Sequence, residues 1–334
     1  MKITFFSHSA LRLAGGAIFF LVLMPLGAPL SAERVEPDGK GRLVLAEPGA
    51  EQVWQDGFLR VIYHTEGEDA VPPADKNANG VPDYVEDMAR QFAVVHHIFC
   101  HIAGFPHPLD SLRYRNVSHV DIFVRAPDEK LGNGGLAFQE PSPSRPPARS
   151  GARSLTIRMA TSVKPSQNRL AAHEYFHLIE NGVTHLTNGW YFEGLADWAR
   201  DAVAKIEAHN ASWKKVDRFL HDPEGETELF GLKYSAAVKF WRPAAALCRS
   251  GALPLPADDP MLRLVYVDGG AVLEDFVFAG VDMVRDILDR LPEVERRLAS
   301  EYGIRRWNRE NRLHPRNDPL LLEAVRQSMD KICR

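Results

Sequence analysis

The five residues HEYFH at positions 173–177 place two histidines four positions apart, with a glutamate directly after the first. On an α-helix, residues four apart lie on the same face, so His173 and His177 can bind a single metal ion from one rigid element. Glu174 then stands where its carboxylate can take a proton from a water that the metal activates. Because neutral imidazole is a preferred ligand of Zn²⁺, the spacing predicts a zinc site with Glu174 as general base.

The alternative for these residues is a pair of histidines on an ordinary helix surface, with a solvated glutamate beside them. The segment 168–181 predicts a helix independently of the motif, and Asn181-Gly182 is a typical helix end. A strand predicted at 154–159, SLTIRM, could serve as a substrate-binding edge. This placement favours the metal site.

A metal site of this kind needs a third ligand, and two downstream residues compete for the role. His185 lies beyond the predicted helix end and misses the spacing at which metzincins place their third histidine. Glu193 opens a second predicted helix, 193–209, and would complete a His₂Glu ligand set. Asp197, one turn later, could accept the free ring N–H of a ligand histidine. Alternatively, Glu193 is simply a negative charge that favours a helix N-terminus.

Stabilisation of a tetrahedral transition state would require a hydrogen-bond donor near the substrate carbonyl oxygen. The first candidate is Tyr234, which opens a predicted helix at 234–248, and Tyr191 and His185 are its rivals. The alternative for Tyr234 is a ring that packs in the core with a hydrated hydroxyl.

Residues 75–86, DKNANGVPDYVE, match the twelve-residue calcium loop of EF-hands, including the glycine at its sixth position, Gly80. Calcium would be bound by oxygen atoms of Asp75, Asn77, Asn79, Val81, Asp83 and Glu86. Val81 would contribute its carbonyl, and Asp83 would act through water. Prolines at 72–73 preclude an entering helix, so the loop would be half of an EF-hand. The alternative is an Asx-rich turn that caps the helix at Asp83.

Together with its flanking sequence, the HEYFH motif resembles a known family. EGLAD follows its last histidine by sixteen residues, similar to the gluzincin pattern, in which a downstream glutamate is the third zinc ligand. Gluzincins commonly have a longer separation. The order NGVPDYVE, strand, Gly-rich loop, strand, HEYFH and EGLADW is similar to a poorly characterised group of secreted bacterial metalloproteases, from about residue 63 to about 242. The resemblance implies a zincin-like catalytic domain and supplies no substrate.

Composition limits the remaining classes. The chain has 334 residues, of which 45% are hydrophobic and 25% charged, which excludes a disordered tail, a collagen and a small disulfide scaffold. Its 40 basic and 44 acidic residues show no long run of either sign, which disfavours a nucleic-acid-binding protein. Residues 1–32 combine a basic start, an apolar stretch broken by prolines and a small-residue exit at Ser31-Ala32. They predict a cleaved secretory signal peptide and no stable membrane anchor, hence a periplasmic or extracellular protein.

Two smaller groups of residues leave alternatives open. Cys100, Cys248 and Cys333 allow one disulfide in any of three pairings, or three buried thiols. His97 and His101 are four apart, but no neighbouring glutamate or third ligand in register accompanies them, so we interpret them as ordinary helix residues.

The remaining patterns predict an α+β, zincin-like fold in two halves. Residues 33–165 should form a small mixed sheet with helices, and residues 166–334 a mostly helical half that carries the metal ligands. Strands are predicted at 43–46, 58–64, 119–125 and 154–159, and further helices at 84–103, 272–289 and 318–333.

The function expected from these features is that of a secreted zinc-dependent peptidase. Its competitors are a non-catalytic exported metal-binding or interaction protein and a metal-dependent hydrolase of a substrate other than peptide.

Overall fold

A mixed β-sheet from the first half of the chain supports the residues that could bind a metal. The computed structural model describes residues 34–45, 51–204, 211–248 and 251–334. The strands of the sheet are, in chain order, β1 (Arg42–Leu45), β2 (Gln52–Asp56), β3 (Leu59–Tyr63), β4 (Val117–Arg125), β5 (Gly135–Ala137), β6 (Ser142–Pro143) and β7 (Arg153–Ala160). Their order in the sheet is β1-β2-β3-β4-β7-β5, and β6 also pairs with β7.

The centre of this sheet is parallel and its margins are antiparallel. Strands β3, β4 and β7 run parallel, with Ile122 opposite Ile157, whereas β1, β2, β5 and β6 run antiparallel to their neighbours. Apolar side chains recur at every second position of β4 and β7 and are fully buried, which explains why these strands were predicted correctly at 119–125 and 154–159. The strand predicted at 43–46 is seen as far as Leu45, because residue 46 lies outside the described residues.

The sheet corrects one prediction about its edge. The segment SLTIRM lies in β7, which has β4 on one side and β5 and β6 on the other, so it is not an edge strand. The strand β5 occupies that position instead, and it begins at Gly135, in the glycine-rich segment that the sequence marks only as a loop. The three residues of β5 form too short a pattern to predict a strand from sequence. Pairing with β7, and not the strand propensity of these residues, keeps β5 extended.

The first α-helix lies in the first half, and helices dominate the second half, where a short antiparallel strand pair accompanies them. The helices are α1 (Asp83–His96), α2 (Leu170–Val183), α3 (Gly189–Ala199), α4 (Trp213–His221), α5 (Pro223–Phe230), α6 (Arg242–Leu247), α7 (Val281–Tyr302), α8 (Arg309–Leu313) and α9 (Asp318–Ile332), and the paired strands are β8 (Ala252–Pro254) and β9 (Val277–Ala279). A π-helical turn, His97–Ile102, extends α1, and another, Ala237–Trp241, precedes α6. The chain therefore has the predicted α+β class, and the helices predicted at 84–103 and 318–333 are confirmed within two residues.

The helix predicted at 234–248 is confirmed within one residue at each end, since helical backbone runs from residue 235 through the π-helical turn and α6 to Leu247. Two other predicted boundaries are wrong. The helix predicted at 193–209 begins at Gly189 and ends at Ala199, so Glu193 lies in its second turn. In the segment 272–289, which was predicted as one helix, residues 277–279 form β9 instead. The helix α7 starts only after Gly280, because the φ of +80° at this glycine is not that of a right-handed helix.

The helix α2, which carries the HEYFH motif, is buried among aromatic side chains. Phe176 of α2 contacts Phe99 of the π-helical turn after α1, Phe105 and Trp198 of α3, with ring centroids 5.4 to 5.8 Å apart. Trp198 in turn stacks on Phe278 of β9 at 4.7 Å. This cluster joins both predicted halves in one core, and it fixes the orientation of α2.

Residues Val35–Arg334 form one compact unit. Of the three cysteine pairings, the structure has the bridge between Cys248, after α6, and Cys333, after α9. The predicted signal peptide, residues 1–32, lies outside the described residues. Among the residues that are described, no helix has both the length and the apolar character needed to cross a membrane.

Candidate metal centre

Three predicted ligands converge between α2 and α3. The Nε2 atoms of His173 and His177 lie 3.1 Å apart, and Oε2 of Glu193 lies 3.4 Å from the first and 3.5 Å from the second. We refer to His173, His177 and Glu193 as the cleft triad. Two of its members face each other because they are one helical turn apart, and the third is brought to them by the packing of α3 against α2.

The spacing of these three atoms suits a tetrahedral ion. Zinc binds imidazole nitrogen and carboxylate oxygen at about 2.0–2.2 Å, so two of its ligand atoms are separated by about 3.3–3.5 Å. The three observed separations lie at or just below this distance. The donor set, two imidazoles and one carboxylate, is also one that zinc commonly uses. The residues present therefore fit a zinc ion.

The protonation of the cleft triad favours metal binding. Burial lowers the pKa of His177 to about 4, so its imidazole is neutral near pH 7 and has a lone pair for a metal. Burial alone would raise the pKa of Glu193, but the facing ring nitrogens of the two histidines and the charge of Lys233 outweigh it and lower this pKa well below its usual value. Lys233 Nζ lies 3.4 Å from Glu193 Oε1. The triad thus combines a neutral imidazole with an ionised carboxylate.

The residue that supports His177 is Glu180, a role that the sequence analysis missed. Its fully buried carboxyl oxygen Oε2 lies 2.8 Å from Nδ1 of His177, at hydrogen-bond distance. Burial raises the pKa of Glu180 well above the usual value, and in its ionised form the carboxylate accepts the Nδ1–H of His177. A carboxylate that receives the second ring nitrogen turns the Nε2 lone pair towards the metal. The i,i+3 spacing between His177 and Glu180 on one helix could have indicated this contact.

Asp197, which was predicted to support a ligand histidine, lies close to His173 without a hydrogen bond. Its Oδ1 is 3.9 Å from His173 Nδ1, and it accepts instead a hydrogen bond of 2.8 Å from Arg200. Its second oxygen lies 3.8 Å from Arg242. The buried Nδ1 atom of His173 has no hydrogen-bond partner among the described residues. Asp197 is therefore at the site, but its orientation is governed by two arginines.

The side chain of the general-base candidate Glu174 lies against strand β5. A Cβ atom on Gly135 would come within 2.6 to 2.8 Å of its side chain, so only glycine allows the carboxylate to lie there. The Ala137 N–H donates a hydrogen bond to it, yet burial dominates and raises its pKa to about 7. A carboxylate whose pKa lies near neutrality can both accept and return a proton at physiological pH.

The centre opens into a cleft of about 590 Å³. Strand β5 and Leu170 line one part of it, and Lys233 and Tyr234 line another. Tyr234 is 51% exposed, and its ring lies 6.0 Å from that of His173. The cleft is thus large enough for several residues of an extended chain, and a tyrosine lies on its lining near His173.

Both rivals considered from sequence lie elsewhere. His185 Nδ1 is 2.7 Å from Glu295, and its ring stacks near Trp307. Tyr191 is buried, and burial raises its pKa well above the usual value. Neither lines the cleft. The alternative for Glu193, a charge at a helix N-terminus, is not favoured either, because the first turn of α3 contains no acidic residue.

The predicted calcium loop is compact and lies at the start of α1. Each oxygen of Glu86 accepts a side-chain N–H, one from Asn77 at 2.8 Å and one from Asn79 at 3.0 Å. Asp75 accepts the backbone N–H groups of Asn79 and Gly80. Four of the six predicted ligand residues therefore share one hydrogen-bond network, with the two amides turned so that nitrogen faces Glu86.

The other two predicted calcium ligands have different partners. Asp83 accepts the backbone N–H of Lys76 at 2.9 Å, and Val81 is buried and donates its N–H to Asn79. The sharp turn that Gly80 was expected to make is present, with φ of +84°. The loop contains the Asx turns that the alternative expected, since Oδ1 of Asn77 and Oδ1 of Asn79 each accept the N–H of the residue two positions later. Asp83, however, does not cap α1 through its side chain.

Comparisons of the whole chain with protein-family models, with curated proteins and with solved structures find no match.

Proposed function

We propose that this protein is an exported zinc-dependent peptidase in which the cleft triad holds the metal and Glu174 is the general base. The observation that carries this proposal is the convergence of three donor atoms at a spacing that suits zinc. Glu174, which directly follows His173 in the chain, is not one of these ligands. A purely structural zinc site needs neither a free carboxylate beside it nor a large cleft. Both features favour a catalytic site over a binding module.

When bound, zinc supplies Lewis-acid chemistry that polarises a carbonyl and acidifies a water. Glu174 takes the proton of the attacking water at its carboxylate and delivers it to the nitrogen of the leaving amine. Burial raises the pKa of Glu174, which favours acceptance of the proton from water. Tyr234 donates its hydroxyl to the developing oxyanion, a role for which its partial exposure and its place in the cleft qualify it.

An extended peptide is the substrate class that the cleft favours. Strand β5 lies along it, and pairing of a peptide with an exposed strand offers recognition that does not depend on side chains. Glu174 contacts the same strand, so a peptide lying along β5 would present its backbone carbonyl beside the base. This arrangement favours peptide over other hydrolysable substrates.

The test compares wild-type protein with Glu174→Gln in cleavage of unfolded casein, with the zinc content of each measured by metal analysis. We expect Glu174→Gln to retain the wild-type zinc content and to lose cleavage by about 10²–10⁴-fold, because only proton transfer is removed. Glu129→Gln, an exposed change in the loop before β5, is the matched control and should cleave like wild type. Equal cleavage by Glu174→Gln and wild type would contradict the mechanism. Zinc binding without cleavage in the wild type would favour the binding module.

Export rests on the predicted signal peptide, residues 1–32. N-terminal sequencing of protein recovered from the periplasm or medium should begin close to Glu33. Recovery only from the cell interior, with an intact N-terminus, would contradict export.

We also propose that the loop 75–86 binds calcium weakly and stabilises the start of α1. The sequence match and the gathering of Asp75, Asn77, Asn79 and Glu86 around one point support this proposal. Calcium would require both amides to turn their oxygens inward, which a rotation about the side-chain bond achieves. Weak extracellular sites have a Kd of about 10⁻⁴–10⁻³ M.

Thermal unfolding of zinc-loaded Glu174→Gln, which cannot digest itself, tests the calcium site. Millimolar calcium should raise the melting temperature by about 2–6 °C, because a ligand that binds only the folded state stabilises it. The double variant Asp75→Ala/Glu86→Ala should show no such shift. An equal shift in both proteins, or none in either, would reduce the loop to an ordinary turn.

A further inference from the structure

We propose that Glu36, His96 and His101 form a second zinc site, separate from the cleft. We call these residues the N-terminal triad. The proposal goes beyond the peptidase function, because it concerns residues that do not line the cleft. It assigns them a structural role, which is to fasten the segment before β1 to the end of α1.

The geometry of the N-terminal triad is that of a His₂Glu ligand set. Oε2 of Glu36 lies 2.8 Å from His96 Nε2 and 3.4 Å from His101 Nε2, and one ligand atom from each residue lies within 4.8 Å of the others. The rings of His96 and His101 are 5.0 Å apart and nearly perpendicular. Since a tetrahedral zinc ion separates its ligand atoms by about 3.3 Å, small movements of exposed side chains complete the site.

The π-helical turn at the end of α1 is what brings the two histidines together. On a regular α-helix His97 and His101 share a face, and this spacing made them a pair in the sequence analysis. In the structure the backbone widens over His97–Ile102, with the Ala103 N–H bonded to the Ile98 carbonyl five residues earlier. Residues five apart then align, and His101 meets His96. The ring of His97 also lies beside that of His101, with centroids 5.4 Å apart, but its Nε2 is 2.7 Å from Asp259 and not near Glu36.

His96 is held as a metal ligand usually is. It is buried, and its Nδ1 atom lies 2.8 Å from the hydroxyl of Tyr175, while Nε2 faces Glu36. A ligand histidine commonly donates its second ring nitrogen to an oxygen, which leaves the first nitrogen free for the metal. Tyr175 belongs to the HEYFH motif, so the N-terminal triad is joined by one hydrogen bond to the helix that carries the cleft triad.

The alternative is that this cluster binds no metal ion. Glu36 would then only accept hydrogen bonds from His96 and His101, and the contact would need no metal. The two descriptions predict different numbers of zinc ions per chain. They also differ in whether that number falls when His101 is replaced.

The experiment is metal analysis of untagged full-length protein after zinc loading and removal of free zinc. Wild type should hold about two zinc ions per chain, and His101→Ala about one. His97→Ala is the matched control, one helical position from His96 and paired with Asp259, and it should hold as much zinc as wild type. His177→Ala should lose the other zinc, and the double variant His101→Ala/His177→Ala should hold almost none.

Two outcomes would overturn the site. His101→Ala with the zinc content of wild type would show that Glu36 makes hydrogen bonds only, and equal losses in His101→Ala and His97→Ala would show unspecific surface binding. His101 has a side chain that is 46% exposed, so its truncation should not unfold the protein. Glu36→Gln, which keeps the side-chain shape, should also lower zinc content and thereby exclude a folding artefact.

Failure of the peptidase proposal would be distinguishable from failure of this one. If the cleft triad binds no metal, His177→Ala retains the zinc content of wild type while His101→Ala still loses one ion. If only the N-terminal triad binds no metal, His101→Ala retains the zinc content of wild type while His177→Ala loses one ion.

Discussion

The cleft triad and the N-terminal triad have the same donor types and differ in almost everything around them. In the cleft triad the histidines are four residues apart on a regular helix, and in the N-terminal triad they are five apart across a π-helical turn. The glutamate comes from α3 in one case and from the segment before β1 in the other. Similar donor sets can thus be assembled from different backbone geometries.

The surroundings determine what each triad could do. The cleft triad opens into a cleft of about 590 Å³ and has a second carboxylate, Glu174, beside it. Around His96 lie the rings of Phe58 and His107, each within 5 Å. The cleft triad thus has both a cavity and a further carboxylate beside it, whereas His96 is packed against aromatic rings. The two proposals therefore rest on the same donor types, and only the groups around each triad distinguish a catalytic role from a structural one.

The largest expected effect is loss of the metal from the cleft. His177→Ala and Glu193→Ala should reduce casein cleavage to the uncatalysed background, a loss on the order of 10⁶-fold or more. His185→Ala should retain zinc and activity, since His185 is bound to Glu295. Activity lost in His185→Ala and kept in Glu193→Ala would show that the third ligand is assigned wrongly.

A smaller effect is expected for the candidate donor to the oxyanion. Tyr234→Phe should lower kcat by about 10²–10³-fold with a nearly unchanged KM, because the hydroxyl would act only in the transition state. The half-exposed position of Tyr234 predicts an unchanged melting temperature. An unchanged kcat would show that Tyr234 does not donate a hydrogen bond to the oxyanion. One of the catalytic groups that distinguish the cleft triad from the N-terminal triad would then be lost.

The position of Glu174 against β5 can be tested with two neighbouring glycines. Gly135→Ala should lower kcat by about 10²-fold while zinc content is kept, because the new methyl group would occupy the place of the Glu174 carboxylate. Gly134→Ala is the control, since its added Cβ would meet the nearest atoms only at 3.8 Å. Equal activity of the two variants would show that catalysis does not require the Glu174 carboxylate to lie against Gly135.

The smallest expected effect concerns the residues that support the ligands. Glu180→Met, similar in length and without an oxygen acceptor, should weaken zinc binding in the cleft by about 10–100-fold. Asp197→Asn should change zinc affinity by less than about tenfold, because Asp197 makes no hydrogen bond to His173. Competition with a zinc chelator measures both, and the reverse order would restore Asp197 as the supporting residue.

What the sequence determined by itself is local in the chain. The spacing of His173 and His177 on one helix follows from helical periodicity, and the turn at Gly80 follows from its freedom to adopt positive φ. The alternating apolar residues of β4 and β7 predict strands for the same kind of reason. These features depend on neighbours a few residues away, whose conformations a periodic pattern constrains directly.

Tertiary structure decided the contacts that join distant segments. The approach of Glu193 depends on packing of α3 against α2, the contact of Glu174 with Gly135 depends on β5 pairing with β7, and the approach of Glu36 to His96 spans 60 residues of chain. The choice of Cys248 and Cys333 for the disulfide likewise joins residues 85 apart. No local pattern encodes such partners, because each is selected by the burial of whole elements in a common core and not by the propensity of either segment.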